Sequence, residues 1–265
     1  MGKRTSYEPG VFCWVELSTT DPDAAKDFYG ELLGWEYRDD PLPDGGMYTT
    51  VLVQGDAAAA VQAQPQAQRE AGAPPNWFSY VTVDDADATA KQAAELGGSV
   101  HAGPFDVMDS GRMAVIADPT GAMFGAWQPG VHFGAQRVND PGCLTMNELA
   151  TSDVARASEF YSALLGWRFE PVDTGGGPPY WSIRHDGAAG GLNGGARELA
   201  GEQAAIPPHW MPYFTVTSVD EALAKVSGKG GTTLFGPVDI PAGRFAAIDD
   251  PQGAGFAIFE GGVDD

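Results

Sequence analysis

The chain has 265 residues, 43% hydrophobic and 19% charged, enough apolar material for two domains that each build a core. Its formal net charge of -21 argues against nucleic acid as a partner, because phosphate binding needs clustered Lys and Arg, and no apolar run approaches the ~20 residues of a membrane helix. Cys13 and Cys143 have no metal-type spacing, and MGKRTSYEPG carries no apolar stretch of the secretion type, so buried thiols in a reducing cytoplasm are expected.

The first predicted element is a strand at CWVELSTT, which alternates and is rich in β formers. Asp21 predicts a helix N-cap, with Pro22 at the first helical position. Ala25, Phe28, Tyr29, Leu32 and Leu33 follow at helical spacing on one apolar face, and Gly34 predicts the stop. A strand near Tyr48–Val53 comes next, then a Gly-rich joint at GDAAAAVQ and a polar surface loop over 64–75. WFSYVTV predicts a strand, followed by a helix from Asp84 that Gly97 and Gly98 end. GRMAVIADP and FGAWQ predict two closing strands.

After a connection over about 129–143 the same order recurs. FYGELLGW (28–35) returns as FYSALLGW (160–167), 132 positions later. Glu16-Leu17 matches Glu148-Leu149, and Asp21 matches Asp153. Trp77, Tyr80 and Val83 match Trp210, Tyr213 and Val216. Asp118-Pro119 matches Asp250-Pro251. Similarity across a whole module is an internal duplication. It gives a first module over 1–130, a linker over 131–142 and a second module over 143–265. In copy two, strands are expected at Trp181–Arg184, WMPYFTV, GRFAAIDDP and GFAIFE. A bulge or bend is expected at GAAGGLNGG, and a helix from Val219 to Gly228.

A strand, an Asp, A..FY...LGW and later DP.G before the last strand, all present twice, resemble the vicinal oxygen chelate superfamily of glyoxalases, bleomycin-resistance proteins and extradiol dioxygenases. The chain is similar to its two-module actinobacterial members, some of which sit in antibiotic pathways, including anthracycline pathways. The resemblance implies an α+β fold: tandem βαβββ modules that pair into curved mixed sheets around a cupped pocket. It also implies places for His or Glu metal ligands, and these hold Trp14, Phe78 and Gly125 in copy one and Met146, Met211 and Ala257 in copy two. None of these binds a hard or borderline divalent ion, so no metal and no cofactor is expected. A displaced site built from Glu148, His209 and His185 is the alternative. His101 and His132 read as loop residues with no nucleophile beside them in sequence.

The vacated places and the strand faces they share assign a ligand-binding set: Trp14, Glu16, Phe78, Tyr80, Trp127, Met146, Glu148, Met211, Tyr213 and Phe259. Trp181, Tyr48, Met113 and Phe245 stand near it. Aromatic walls with two carboxylates suit a planar cationic natural product, held by stacking, cation–π contact and a charge-assisted hydrogen bond. The competing assignments are core packing for the rings, backbone hydrogen bonding for the carboxylates, and an enzyme of the superfamily with Glu16 or Glu148 as general base. The expected partners are a small aromatic ligand and a biosynthetic enzyme, with neither nucleic acid nor membrane, the chain being a monomer or a homodimer.

Overall fold

A computed structural model describes residues 2–42 and 45–262. The first half folds as β1 (Phe12–Thr19), α1 (Pro22–Leu33), β2 (Glu36–Pro41), β3 (Met47–Val53) and β4 (Asp56–Ala63). A short α2 (Gln66–Glu70) follows, then β5 (Asn76–Thr82), α3 (Ala86–Glu95), β6 (Ser99–Val107), β7 (Gly111–Ala117) and β8 (Met123–Pro129). The second half repeats this as β9 (Leu144–Thr151), α4 (Val154–Leu165), β10 (Arg168–Val172), β11 (Tyr180–Arg184) and β12 (Leu192–Glu198). It ends with β13 (His209–Thr215), α5 (Val219–Gly228), β14 (Thr232–Ile240), β15 (Gly243–Asp249) and β16 (Gly255–Gly261). The fold is α+β, and each half holds two βαβββ units. No helix among the described residues is long and apolar enough to cross a membrane.

Each half forms its own open eight-stranded mixed sheet, in the orders β2-β3-β4-β1-β5-β8-β7-β6 and β10-β11-β12-β9-β13-β16-β15-β14. Pairing is therefore completed within a module, and there are two cups rather than one. Two sequence expectations shift and one holds. GDAAAAVQ is not a joint: most of it is β4, which pairs parallel to β1. GAAGGLNGG carries the expected irregularity, since Leu192 and Gly194 pair with Arg184 and Ile183 and Asn193 is skipped, and it runs into β12, the partner of β9. The polar loop contains α2. Small side chains hid β4, since four consecutive alanines carry no period-two signal.

The helices form where the local chemistry places them. Asp21 accepts the Ala24 N–H at 3.1 Å and Asp153 the Arg156 N–H at 2.9 Å, each capping a first turn. Gly34 and Gly166 end α1 and α4 at φ +71° and +72°, a conformation that suits glycine.

The apolar faces of α1 and α4 pack into two cores, and both cores are shared between the modules. One joins α1, Val15, Leu17 and Trp77 to α5, Phe214, Phe256 and Ile258. The other joins α3, Val81, Ile116 and Phe124 to α4, Leu149, Trp167 and Trp210. A register shift in β1 between Phe12 and Trp14 turns Phe12 out of its own cup and onto Trp167 and Trp210 of the second module, with ring centroids 5.3 and 5.0 Å away. Each sheet thus presents one face to a shared core and the opposite face to a cup.

The repeated Tyr of FY..LLGW and Asp of DP.G meet across this junction. Tyr29 donates to Asp250 Oδ2 at 3.1 Å while accepting Trp77 Nε1–H at 3.0 Å. Tyr161 accepts Trp210 Nε1–H at 3.0 Å and lies beside Asp118. Both repeated motifs therefore bind one module to the other.

Candidate functional site

The ten residues assigned from sequence to one ligand site divide between two cups. Trp14, Glu16, Phe78, Tyr80 and Trp127 lie on the inner face of the first sheet, where Trp14 pairs with Tyr80 and Glu16 with Phe78. Met146, Glu148, Met211, Tyr213 and Phe259 lie on the inner face of the second, with Met146 opposite Tyr213 and Glu148 opposite Met211. The duplication explains the division: each carboxylate keeps its own sheet.

In the first cup, Glu16 is 8% exposed. Its carboxylate accepts from the Gln62 amide and from Tyr80 O–H at 3.3 Å. Tyr48 stands beside it, and Trp14 donates to the Tyr48 hydroxyl at 3.3 Å. No cation pairs with Glu16 among the described residues, so burial pushes its pKa up to about 7, against the opposing hydrogen bonds of Tyr48 and Tyr80. Aromatic rings line the rest. Phe78 and Tyr80 meet edge to face at 5.1 Å, and Tyr80 meets Trp127 at 6.3 Å. Met113 packs against this group. The linker crosses one end: His132 sits edge-on to Trp14 at 4.7 Å, and its carbonyl accepts Trp127 Nε1–H at 2.9 Å. Burial lowers the His132 pKa, so this imidazole wall is neutral at pH 7. Reading His132 as a bare loop residue therefore missed its place in the cup, because a linker's path over a sheet leaves no periodic signal.

The second cup repeats this plan with one changed charge. Glu148 accepts Tyr213 O–H at 2.9 Å and forms an ion pair with Arg197, Nε to Oε1 2.9 Å. Gln62 and Arg197 hold matching places: each lies two residues beyond the position paired with the cup carboxylate, Ala60 and Gly195 respectively. Tyr180, the match of Tyr48, approaches Glu148, whose charge adds to burial in raising the tyrosine pKa. Trp181 was expected near the site and lies instead against the shared core. The error is one residue, which in a strand changes the face. Matching Tyr48 to Tyr180 at the 132 offset identifies the correct neighbour from sequence. Phe245 pairs with Phe259 across β15 and β16, as expected of a cup residue. Neither carboxylate turns to a backbone group at the junction.

The places to which the resemblance assigned metal ligands hold Trp14, Phe78, Gly125, Met146, Met211 and Ala257, none a donor that fits a divalent ion. At Gly125 the space is also filled. A Cβ built on Gly125 would lie 2.3 Å from Tyr80 Cδ1, so the Tyr80 ring occupies the volume a ligand side chain would need. Gly125→Ala is expected to cost about 1–3 kcal/mol, because a buried ring cannot retreat, and urea denaturation measures it. The displaced donor set does not assemble. His209 binds the Pro207 carbonyl at 2.9 Å, while His185 sits in the turn after β11 with the Gly187 N–H on its Nδ1 at 3.2 Å. His101 contacts Ser99 on an exposed strand. Among the described residues no group of three or more His, Cys, Asp or Glu could hold a metal. Two cavities, about 180 and 240 Å³, flank the module junction, one at Leu33, Gly142 and Ser218 and the other at Gly10, Asp85 and Leu165; neither includes a cup residue.

Two modules with these sheet orders and paired inner faces agree with the comparisons to known proteins. The model of the glyoxalase/bleomycin resistance protein/dioxygenase superfamily matches residues 12–125 and again 144–258. The chain belongs to this superfamily. Over 263 residues it is 41% identical to a Mycobacterium tuberculosis protein named "Putative glyoxylase CFP32", covering 98% of each chain. It is 39% identical to the anthracycline biosynthesis protein DauV of Streptomyces sp. strain C5, with 97% of this chain and 95% of that one covered. Among solved structures, the 2,3-dioxygenase LapB of Pseudomonas sp. KL28 shares the superfamily fold at TM-score 0.65 and 15% identity, covering 98% of this chain and 95% of that one. The Mn(II)-bound glyoxalase of Novosphingobium aromaticivorans does so at TM-score 0.65 and 17% identity, covering 96% of this chain and 83% of that one.

Proposed function

We propose that the first cup binds a planar aromatic molecule bearing a cationic amine, and that the protein sequesters or carries such a natural product, of the anthracycline kind. The observation that carries this reading is Glu16: a buried carboxylate ringed by Trp14, Tyr48, Phe78 and Tyr80, held by neutral donors and unmatched by a cation among the described residues. An unpaired buried charge is costly, and a ligand ammonium would offset that cost while the rings stack on the aromatic body. The relatives named for anthracycline biosynthesis support this choice of ligand class.

Titrating the protein with an aminosugar-bearing anthracycline tests it, since Trp14 and Trp127 are expected to be quenched. Affinity rises with pH. The amine stays protonated below about pH 8, whereas Glu16 must ionise at about 7, so binding is expected to be roughly tenfold tighter at pH 8 than at pH 6. Glu16→Gln removes both the affinity and the slope. Absence of quenching by any planar amine, or a flat pH profile, rejects the reading.

One observation favours catalysis instead. A carboxylate with a pKa near 7 is matched to general-base work at neutral pH, and a relative carries a glyoxylase name. A bound ligand recovered with changed mass after incubation, and recovered unchanged from Glu16→Gln, would establish it.

A further inference from the structure

The two cups share a Glu and two Tyr, which are Glu16, Tyr48 and Tyr80 in one and Glu148, Tyr180 and Tyr213 in the other. They differ where the charge is set. Arg197 takes the place of Gln62. Its guanidinium is held from two sides, by Glu148 Oε1 at 2.9 Å on Nε and by Gln203 Oε1 at 2.7 Å on Nη1. Its side chain is 26% exposed, that of Glu148 only 8%. The carboxylate is thus the buried member of the pair and the cation is the member nearer solvent. Arg197 Nη2 makes no hydrogen bond among the described residues. Tyr180 pairs with Arg197 across β11 and β12, and elsewhere in the same cup Phe245 lies 6.0 Å from Tyr213, centroid to centroid.

We propose that the second cup is a separate binding site for a planar aromatic carrying an acidic group, a carboxylate or an acidic phenol, with Arg197 as its anchor. A preorganised guanidinium binds such an oxyanion through a charge-assisted hydrogen bond, and Tyr180, its cross-strand neighbour, supplies a ring beside it. The net charge of -21 opposes an anion at long range, but at physiological ionic strength charges beyond about 8 Å are largely screened. The contact with Arg197 therefore decides. One chain would then hold two ligands of opposite charge, one in each duplicated cup.

Isothermal titration calorimetry with 2-naphthoate tests this. Wild-type protein is expected to bind one equivalent. Arg197→Gln gives the second cup the first cup's own residue, an arrangement the chain already folds, and should weaken binding at least tenfold. Glu148→Gln/Arg197→Gln serves the same purpose with no unpaired carboxylate, and circular dichroism verifies the fold of both. Glu16→Gln should leave naphthoate binding intact. The proposal is overturned if wild type fails to bind naphthoate at millimolar concentration, if folded Arg197 variants bind it as wild type does, or if Glu16→Gln abolishes it. Failure of an anthracycline amine to bind would reject only the first-cup reading, since the two probes address different residues.

Discussion

Glu16→Gln is expected to stabilise the protein by about 3 kcal/mol at pH 8 and to change little at pH 4. The folded carboxyl has its pKa raised by burial to about 7, against 4.5 for an ordinary glutamate. The folded state therefore holds a proton that the unfolded chain has released, and stability falls as pH rises from about 4.5 to 7. Above 7 the loss is complete, and a shift of this size amounts to about 3 kcal/mol. A neutral amide of the same shape avoids the loss, and its NH₂ can bond a rotated Gln62. For a chain of this size the gain corresponds to a rise in melting temperature of roughly 5–10 °C at pH 8. Thermal melts of both proteins at pH 4, 6 and 8 measure it. An equal change at all three values, or destabilisation at pH 8, would make Glu16 an ordinary structural residue and remove the ground for a ligand ammonium in the first cup.

Asp250→Ala is expected to be the most damaging single change away from the cups, at about 3–5 kcal/mol. Asp250 is 3% exposed. One oxygen accepts the N–H groups of Gln252 at 2.8 Å and Ala254 at 2.9 Å, and the other accepts Tyr29 O–H at 3.1 Å from the opposite module. Alanine leaves the buried Tyr29 and Ala254 donors and the part-buried Gln252 N–H without this acceptor, and bonds to a charged acceptor are worth about 1.5–3 kcal/mol each before relaxation. Asp118→Ala should behave alike, because Asp118 accepts the N–H groups of Thr120, Gly121 and Ala122 and stands beside Tyr161. Guanidinium unfolding of single and double variants measures both. Tyr29→Phe and Asp250→Ala should be less than additive, since they remove one shared bond. Ligand affinity per folded molecule should not change, because these residues sit on the faces turned away from the cups. A loss of affinity at full folding would contradict that separation.

Much of the scaffold is legible because its signals are local. The caps at Asp21 and Asp153, the stops at Gly34 and Gly166, and the apolar face of α1 depend on neighbours within one or two turns. The cup rings are legible too, since alternation along β1, β5 and β8 sends Trp14, Tyr80 and Trp127 to one side. Elsewhere the local signal is weak or misleading. β4 reads as a joint because alanine is small. β2, an edge strand with the largely exposed pattern EYRDDP, has no apolar face to betray it. Trp181 reads as a site residue because it is aromatic, while Tyr180 next to it takes the inward face.

By itself, the order of residues determined the duplication and the superfamily fold. These are questions of residue identity and short-range period. Only the tertiary structure decided that each module forms its own sheet, so that ten residues expected in one pocket occupy two. It also decided that Glu148 meets Arg197 while Glu16 is held by Gln62, Tyr48 and Tyr80 with no cation among the described residues, although the two glutamates hold matching places in the repeat. The partner of a strand residue lies across the sheet, 49 residues on for Glu148, and pairing at such a distance is set by which strands lie side by side.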